Sequence, residues 1–151
     1  VTVEVYGFDE EPTSEFTTFA GNGSWDVLGG EPWVMSGIMS RWEVDGIYRS
    51  TGGDFGLSIP PHEKYFQTSG KVAGIQIQLW EADPDPNPDD YVAQIDIQGP
   101  IVQPNFIIAF RNNDDKLNDF VDGGNRRAEF YTKLASTYTV YDQTLWVQYY
   151  D

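Results

Sequence analysis

Ile75-Gln-Ile-Gln-Leu-Trp-Glu-Ala-Asp-Pro-Asp-Pro-Asn-Pro-Asp-Asp-Tyr-Val-Ala-Gln-Ile-Asp-Ile97 is the stretch that decides the fold. Ile75, Ile77 and Leu79 alternate with Gln76, Gln78 and Trp80, which reads as a strand with one buried face. Tyr91 to Ile97 repeats the alternation and reads as its partner. Between them, Glu81 to Asp90 holds five carboxylates, one amide and three prolines, with no basic residue. Two apolar strands therefore deliver a strongly acidic loop.

Moving outward, the same period recurs. Val1 to Tyr6 alternates, then runs into the acidic turn Asp9-Glu-Glu-Pro12, which reads as a solvated hairpin tip. Gly21-Asn-Gly-Ser24 is a turn, and Asn22 also fits the N-glycosylation pattern. Trp33 to Trp42 reads as a long strand with Trp33 and Met35 on one side and Val34 and Ile38 on the other. Phe55, Leu57 and Ile59 form a short strand stopped by Pro60-Pro61. Asn105 to Phe110 is almost wholly apolar, as expected of a strand buried on both faces. Thr137 to Tyr150 supplies one or two terminal strands. The spacing predicts a short helix after Asn113, with Asn113 as N-cap, Leu117, Phe120 and Val121 as the apolar face and Gly123 as the stop. Alternatively, Asp114, Asp115, Asp119 and Asp122 supply a cation site. Asn125 to Ala135 is ambiguous, since Ala128, Tyr131, Leu134 and Ala135 follow helical spacing. Short strands, frequent turns and scarce helix predict one all-β domain over residues 1–151. The expected architecture is a mainly antiparallel β-sandwich of roughly seven to ten strands with one or two short helices.

The acidic loop carries the chemistry. Five unit charges make ten repulsions, each costing roughly 0.5 kcal/mol at about 8 Å in water, so about 5 kcal/mol before screening. A hard divalent cation reverses that sign, because Ca²⁺ takes six to eight oxygens from carboxylates, amides and carbonyls. Asp83, Asp85, Asn87 and Asp89 alternate, so an extended backbone puts their oxygens on one side. The spacing is not that of an EF-hand: Pro88 stands where that loop needs glycine, Gln94 where it needs a bidentate glutamate, and the flanks are strands. Leu79-Trp-Glu-Ala-Asp83 and Asp89-Asp-Tyr-Val92 resemble the third calcium loop of C2 domains, over residues 79–92 alone. Glu81 replaces the usual aspartate and Ala93 the usual glycine. The resemblance implies a calcium-binding β-sandwich that docks on membranes through the ion, although this chain lacks the basic strand such docking uses. Glu81, Asp83, Asp85, Asn87, Asp89 and Asp90 are the candidate metal ligands, with Asp83 and Asp89 foremost.

Composition narrows the rest. The 151 residues carry a net charge of −15, and residues 1–40 contain no lysine or arginine. Nucleic acid is therefore disfavoured as a partner, as is calcium-independent binding to anionic membranes. There are no cysteines and one histidine, so Ser-His-Asp and Cys-His chemistry is nearly excluded. His62, beside two prolines, reads as a surface loop residue. No phosphate-cradling motif is present. No run is long enough to cross a bilayer, and there is no signal-like segment at Val1. A first residue other than Met fits a mature or excised piece. Trp33, Trp42, Trp80 and Trp146 lie in strand patterns and are expected in the core. Exposed aromatics would instead stack on sugars.

The expected function is a non-catalytic, extracellular interaction module that binds Ca²⁺ through the acidic loop and has a protein or carbohydrate partner. Three alternatives stay open: an acidic structural or charge-mimicking inhibitor without a specific metal, a carbohydrate-binding module, and a carboxylate-dependent glycosidase.

Overall fold

A computed structural model describes residues 1–8, 25–40, 42–44, 46–68, 74–84 and 86–151. Ten strands follow one another: β1 (Thr2–Phe8), β2 (Val27–Gly37), β3 (Trp42–Glu43), β4 (Tyr48–Ser50), β5 (Phe55–Ile59), β6 (Ile75–Glu81), β7 (Asp90–Ile97), β8 (Asn105–Arg111), β9 (Ala128–Ala135) and β10 (Val140–Tyr150). They form two antiparallel sheets. One runs β1-β8-β5-β10-β2; the other runs β3-β9-β6-β7, with β4 also on β9. The sheets pack face to face over one core, so the chain is the all-β sandwich that the alternating pattern implies.

That core is made of alternate residues from both sheets. Trp33, Phe55, Leu57, Phe110, Val147 and Tyr149 come from one sheet; Ile75, Ile77, Leu79, Phe130 and Leu134 come from the other, each at most 1% exposed. A polar chain runs through the interior, within the first sheet and then across to the second. The Trp33 Nε1–H donates to the Tyr149 hydroxyl at 3.1 Å, and that hydroxyl lies 3.0 Å from Thr132 Oγ1. Tyr48 stacks on Tyr149 with ring centroids 3.9 Å apart. The Trp33 indole N–H and the Tyr149 and Thr132 hydroxyls thus each have a partner, which avoids the desolvation cost of an unpaired group.

Two sequence expectations are corrected and one ambiguous stretch is resolved. The helix expected after Asn113 is a single 3-10 turn, Asn118–Phe120, with no side-chain cap from Asn113. The residue that holds this segment is Asn112, whose Oδ1 accepts from the backbone N–H groups of Leu117 and Asn118 at 3.0 and 3.2 Å. Asp115 takes a left-handed φ of 59° and interrupts any continuous helical turn. Residues 128–135, whose spacing mimicked a helix, form β9. Ala128, Phe130, Tyr131, Thr132 and Leu134 are all buried there, because β9 sits between β6 and β3/β4 and its outward face is partly covered too. No α-helix occurs among the described residues. Finally, Trp146 is not core: it is 56% exposed on the outer face of the first sheet, and Trp80 is only partly buried. The turns at Asp9–Pro12 and Gly21–Ser24, with Asn22, lie outside the described residues.

The β6–β7 pair positions the acidic loop. Its ladder is regular from Ile75↔Ile97 to Leu79↔Ala93, then shifts by one residue, so that Trp80 faces Tyr91 and Glu81 faces Asp90. The extra residue is Val92, a β-bulge. An unbulged ladder would set Glu81 opposite Tyr91. The one-residue shift instead turns Tyr91 outward and brings Asp90 to the side on which Glu81 lies.

Candidate metal centre

Glu81 ends β6 on the inward side of the sheet, in register with Phe130 of β9. It is 1% exposed, and its Oε1 accepts no hydrogen bond from any described residue. One carboxylate oxygen from each of Glu81, Asp83 and Asp90 lies within 4.8 Å of the others, the only such group among the described residues. Cation–oxygen bonds of about 2.3–2.6 Å span oxygens at such separations around one Ca²⁺.

The electrostatics of this corner are one-sided. Burial pushes the Glu81 carboxyl up to about 8, and the negative charges of Asp83, Asp122 and Glu129 add to the shift. A hydrogen bond with the Glu129 backbone pulls in the opposite direction. Asp83 is raised as well, first by desolvation, then by the charges of Asp90 and Asp122. At neutral pH these carboxylates repel each other unless a proton or a cation sits between them.

The loop is held by its neighbours. The Asp83 backbone N–H donates to Asp89 Oδ1 at 3.0 Å, and the Tyr131 hydroxyl donates to Asp89 Oδ2 at 2.5 Å. Both oxygens of Asp89 are therefore engaged: Oδ1 closes the loop on itself, and Oδ2 ties it to β9. The Asn87 backbone N–H donates to the Pro84 carbonyl at 3.1 Å and closes the exposed tip. The Ala82 N–H donates to the Glu129 carbonyl at 2.8 Å. Opposite stands the turn at 122–125, where Asn125 Nδ2 donates to Glu129 Oε1 at 2.6 Å. An open cavity of about 370 Å³ lies between Ala82, Asp83 and Pro84 on one side and Asp122, Gly123 and Asn125 on the other.

Of the six residues singled out from the sequence, the fold brings Glu81, Asp83 and Asp90 together. Asp89 braces the loop from beside them, Asn87 is exposed at the tip, and Asp85 lies outside the described residues. Asp122 acts on Glu81 and Asp83, which links the 111–122 segment to this loop. Asp114, Asp115 and Asp119 join no carboxylate group of this kind among the described residues. Sequence reasoning missed Tyr131, whose hydroxyl is the loop's anchor, and the bulge that selects Asp90. His62 is partly buried, with Nδ1 3.2 Å from the Pro60 carbonyl and its ring 4.9 Å from that of Phe66. Burial lowers its pKa.

The family described as the YndA coiled coil domain matches residues 34–149. The uncharacterized protein YndA of Bacillus subtilis (strain 168) is 32% identical over 127 residues, covering 82% of this chain and 77% of that protein. No solved structure matches. The family's description names a coiled coil, whereas the matched region here is built of strands.

Proposed function

The chain belongs to the YndA family, and we propose that it is a non-catalytic, extracellular interaction module that binds one Ca²⁺ through Glu81, Asp83 and Asp90. The observation that carries this reading is the buried Glu81 carboxyl, with an unpartnered oxygen, grouped with two further carboxylates. An acidic surface that serves solubility alone has no use for a desolvated carboxyl at its rim, because burial of an unpaired charge is costly. The resemblance of residues 79–92 to the third calcium loop of C2 domains supports the same reading. Backbone carbonyls or water complete the shell, and Asp122 adds negative potential. A site with three carboxylates on one short loop suits the roughly 10⁻⁴–10⁻³ M affinities of extracellular modules.

A raised Glu beside a second carboxylate is also the pattern of an acid–nucleophile pair in glycoside hydrolysis. Here the residue that would act as acid is 1% exposed, so it does not reach a substrate oxygen. The metal reading accounts for its burial and the catalytic one does not.

Heat denaturation tests the proposal. Calcium at about 100 times its dissociation constant adds about 2.7 kcal/mol of stability. Magnesium, which requires near-ideal octahedral geometry, adds less. Equal stabilisation by both ions, or by neither, contradicts the proposal.

A further inference from the structure

On the outer face of the first sheet, the part around β10 differs in chemistry from the far side, where Glu4 of β1 pairs with Arg111 of β8. Along β10, Thr144, Trp146, Gln148 and Tyr150 alternate with the core residues Leu145, Val147 and Tyr149 and so point outward. Their cross-strand neighbours include Val34 and Pro32 on β2 and Ser58 on β5. None of these side chains is charged, on a chain whose net charge is −15. Trp146 is 56% exposed, and Gly30 is what lets its indole lie close to the sheet. A Cβ there would stand 2.7 Å from Nε1 and 3.0 Å from Cε2. Tyr150 is fixed further along the same strand: its hydroxyl donates to Gln148 Oε1 at 2.8 Å and lies 3.5 Å from Ser58 Oγ, and Trp25 meets its ring edge-on. Four residues along one strand separate Trp146 from Tyr150 by about 13 Å, a span of a few linked sugar rings.

We propose that this face binds a neutral polysaccharide, with Trp146 as the stacking platform. An indole offers a flat apolar surface with a polar N–H, which suits the C–H faces and hydroxyls of a sugar. The charge pattern selects the ligand class. An anionic chain is repelled by the molecule as a whole, and a cationic one finds its partners at the acidic loops, whereas an uncharged ligand meets no penalty here. The exposed amide of Gln148, with one oxygen already oriented by Tyr150, and the hydroxyl of Thr144 supply directional contacts. Strand addition by a second copy is disfavoured, since Pro32 stands in the middle of edge strand β2 and lacks a backbone donor.

Native affinity electrophoresis in EDTA tests this apart from any metal. The probes are hydroxyethylcellulose and a soluble mixed-linkage β-glucan as neutral polymers, with polygalacturonate as the anionic control. The expected result is retardation by at least one neutral polymer, none by polygalacturonate, and weakening by about tenfold or more in Trp146→Ala. Gln148→Ala, which removes a solvent-facing amide, is expected to weaken retardation too, and it keeps the test valid should Trp146→Ala fold poorly. Absence of retardation by either neutral polymer overturns the proposal. So does full retention of binding in both variants. A shift from dimer to monomer on Trp146→Ala in sedimentation would assign the face to self-association and overturn it as well.

Discussion

Glu81 concentrates the chemistry of the molecule in one side chain. Its carboxyl ordinarily titrates at 4.5 and is held near 8 in the folded chain. Between those values the folded state keeps a proton that the unfolded state has released. Stability without calcium therefore falls as pH rises from about 4.5 to about 8, and is retained below that window. Asp83, also raised, acts in the same direction. Glu81→Gln removes the ionisable group while keeping its shape. In EDTA, urea denaturation of this variant is expected to show a flatter decline across the window and greater stability than the parent at about pH 9. An unchanged decline in the variant would show that Glu81 is not the group responsible. At the proposed site, calcium would compete with the same proton, since metal ligands bind in their deprotonated form. It follows that calcium stabilises the parent more at about pH 8 than at about pH 6.

Among the elements, strands with one solvent-facing side were legible from alternation: Ile75, Ile77 and Leu79 are each fully buried, as their spacing implied. The apolar run of β8 was legible for the opposite reason, since Ile107, Ile108, Ala109 and Phe110 are buried on both faces. β9 was not legible, because its outward Tyr131 is buried as well and erases the period. The bulge at Val92 was not legible either. Simple alternation puts Tyr91 with Ala93 on the inner face, and only the ladder shift reveals Asp90 there and Tyr91 49% exposed. The acidic loop was readable as a candidate site, but which of its carboxylates converge depends on that shift. The segment at 112–120 failed as a helix because Asp115 takes a left-handed φ and because the Asn112 side chain, not a backbone carbonyl, accepts from Leu117 and Asn118, leaving isolated turn bonds in place of a continuous helical ladder. Asn112→Ala is expected to destabilise the fold by about 1–3 kcal/mol, since two backbone donors lose their acceptor. Chemical denaturation measures this, and a change under about 0.3 kcal/mol would mean that water replaces the side chain without loss.

At the scale of the whole molecule, a sandwich with an acidic corner and an uncharged patch along β10 carries a charge of −15. Duplex DNA and anionic vesicles are expected to leave it unbound in calcium-free buffer at physiological salt, and co-sedimentation would reveal a basic face if they did not. No described helix is long and apolar enough to cross a membrane. The fold groups Glu81, Asp83 and Asp90, and their proposed role is to hold one Ca²⁺. Calorimetric titration of calcium into the unmutated protein and into Asp83→Asn/Asp90→Asn is the most direct measurement of it. Saturable uptake of about one ion at millimolar concentration or below is predicted for the parent, and its loss for the variant, whose core is untouched. No binding by the parent at millimolar calcium, or equal binding by a folded variant, would contradict it.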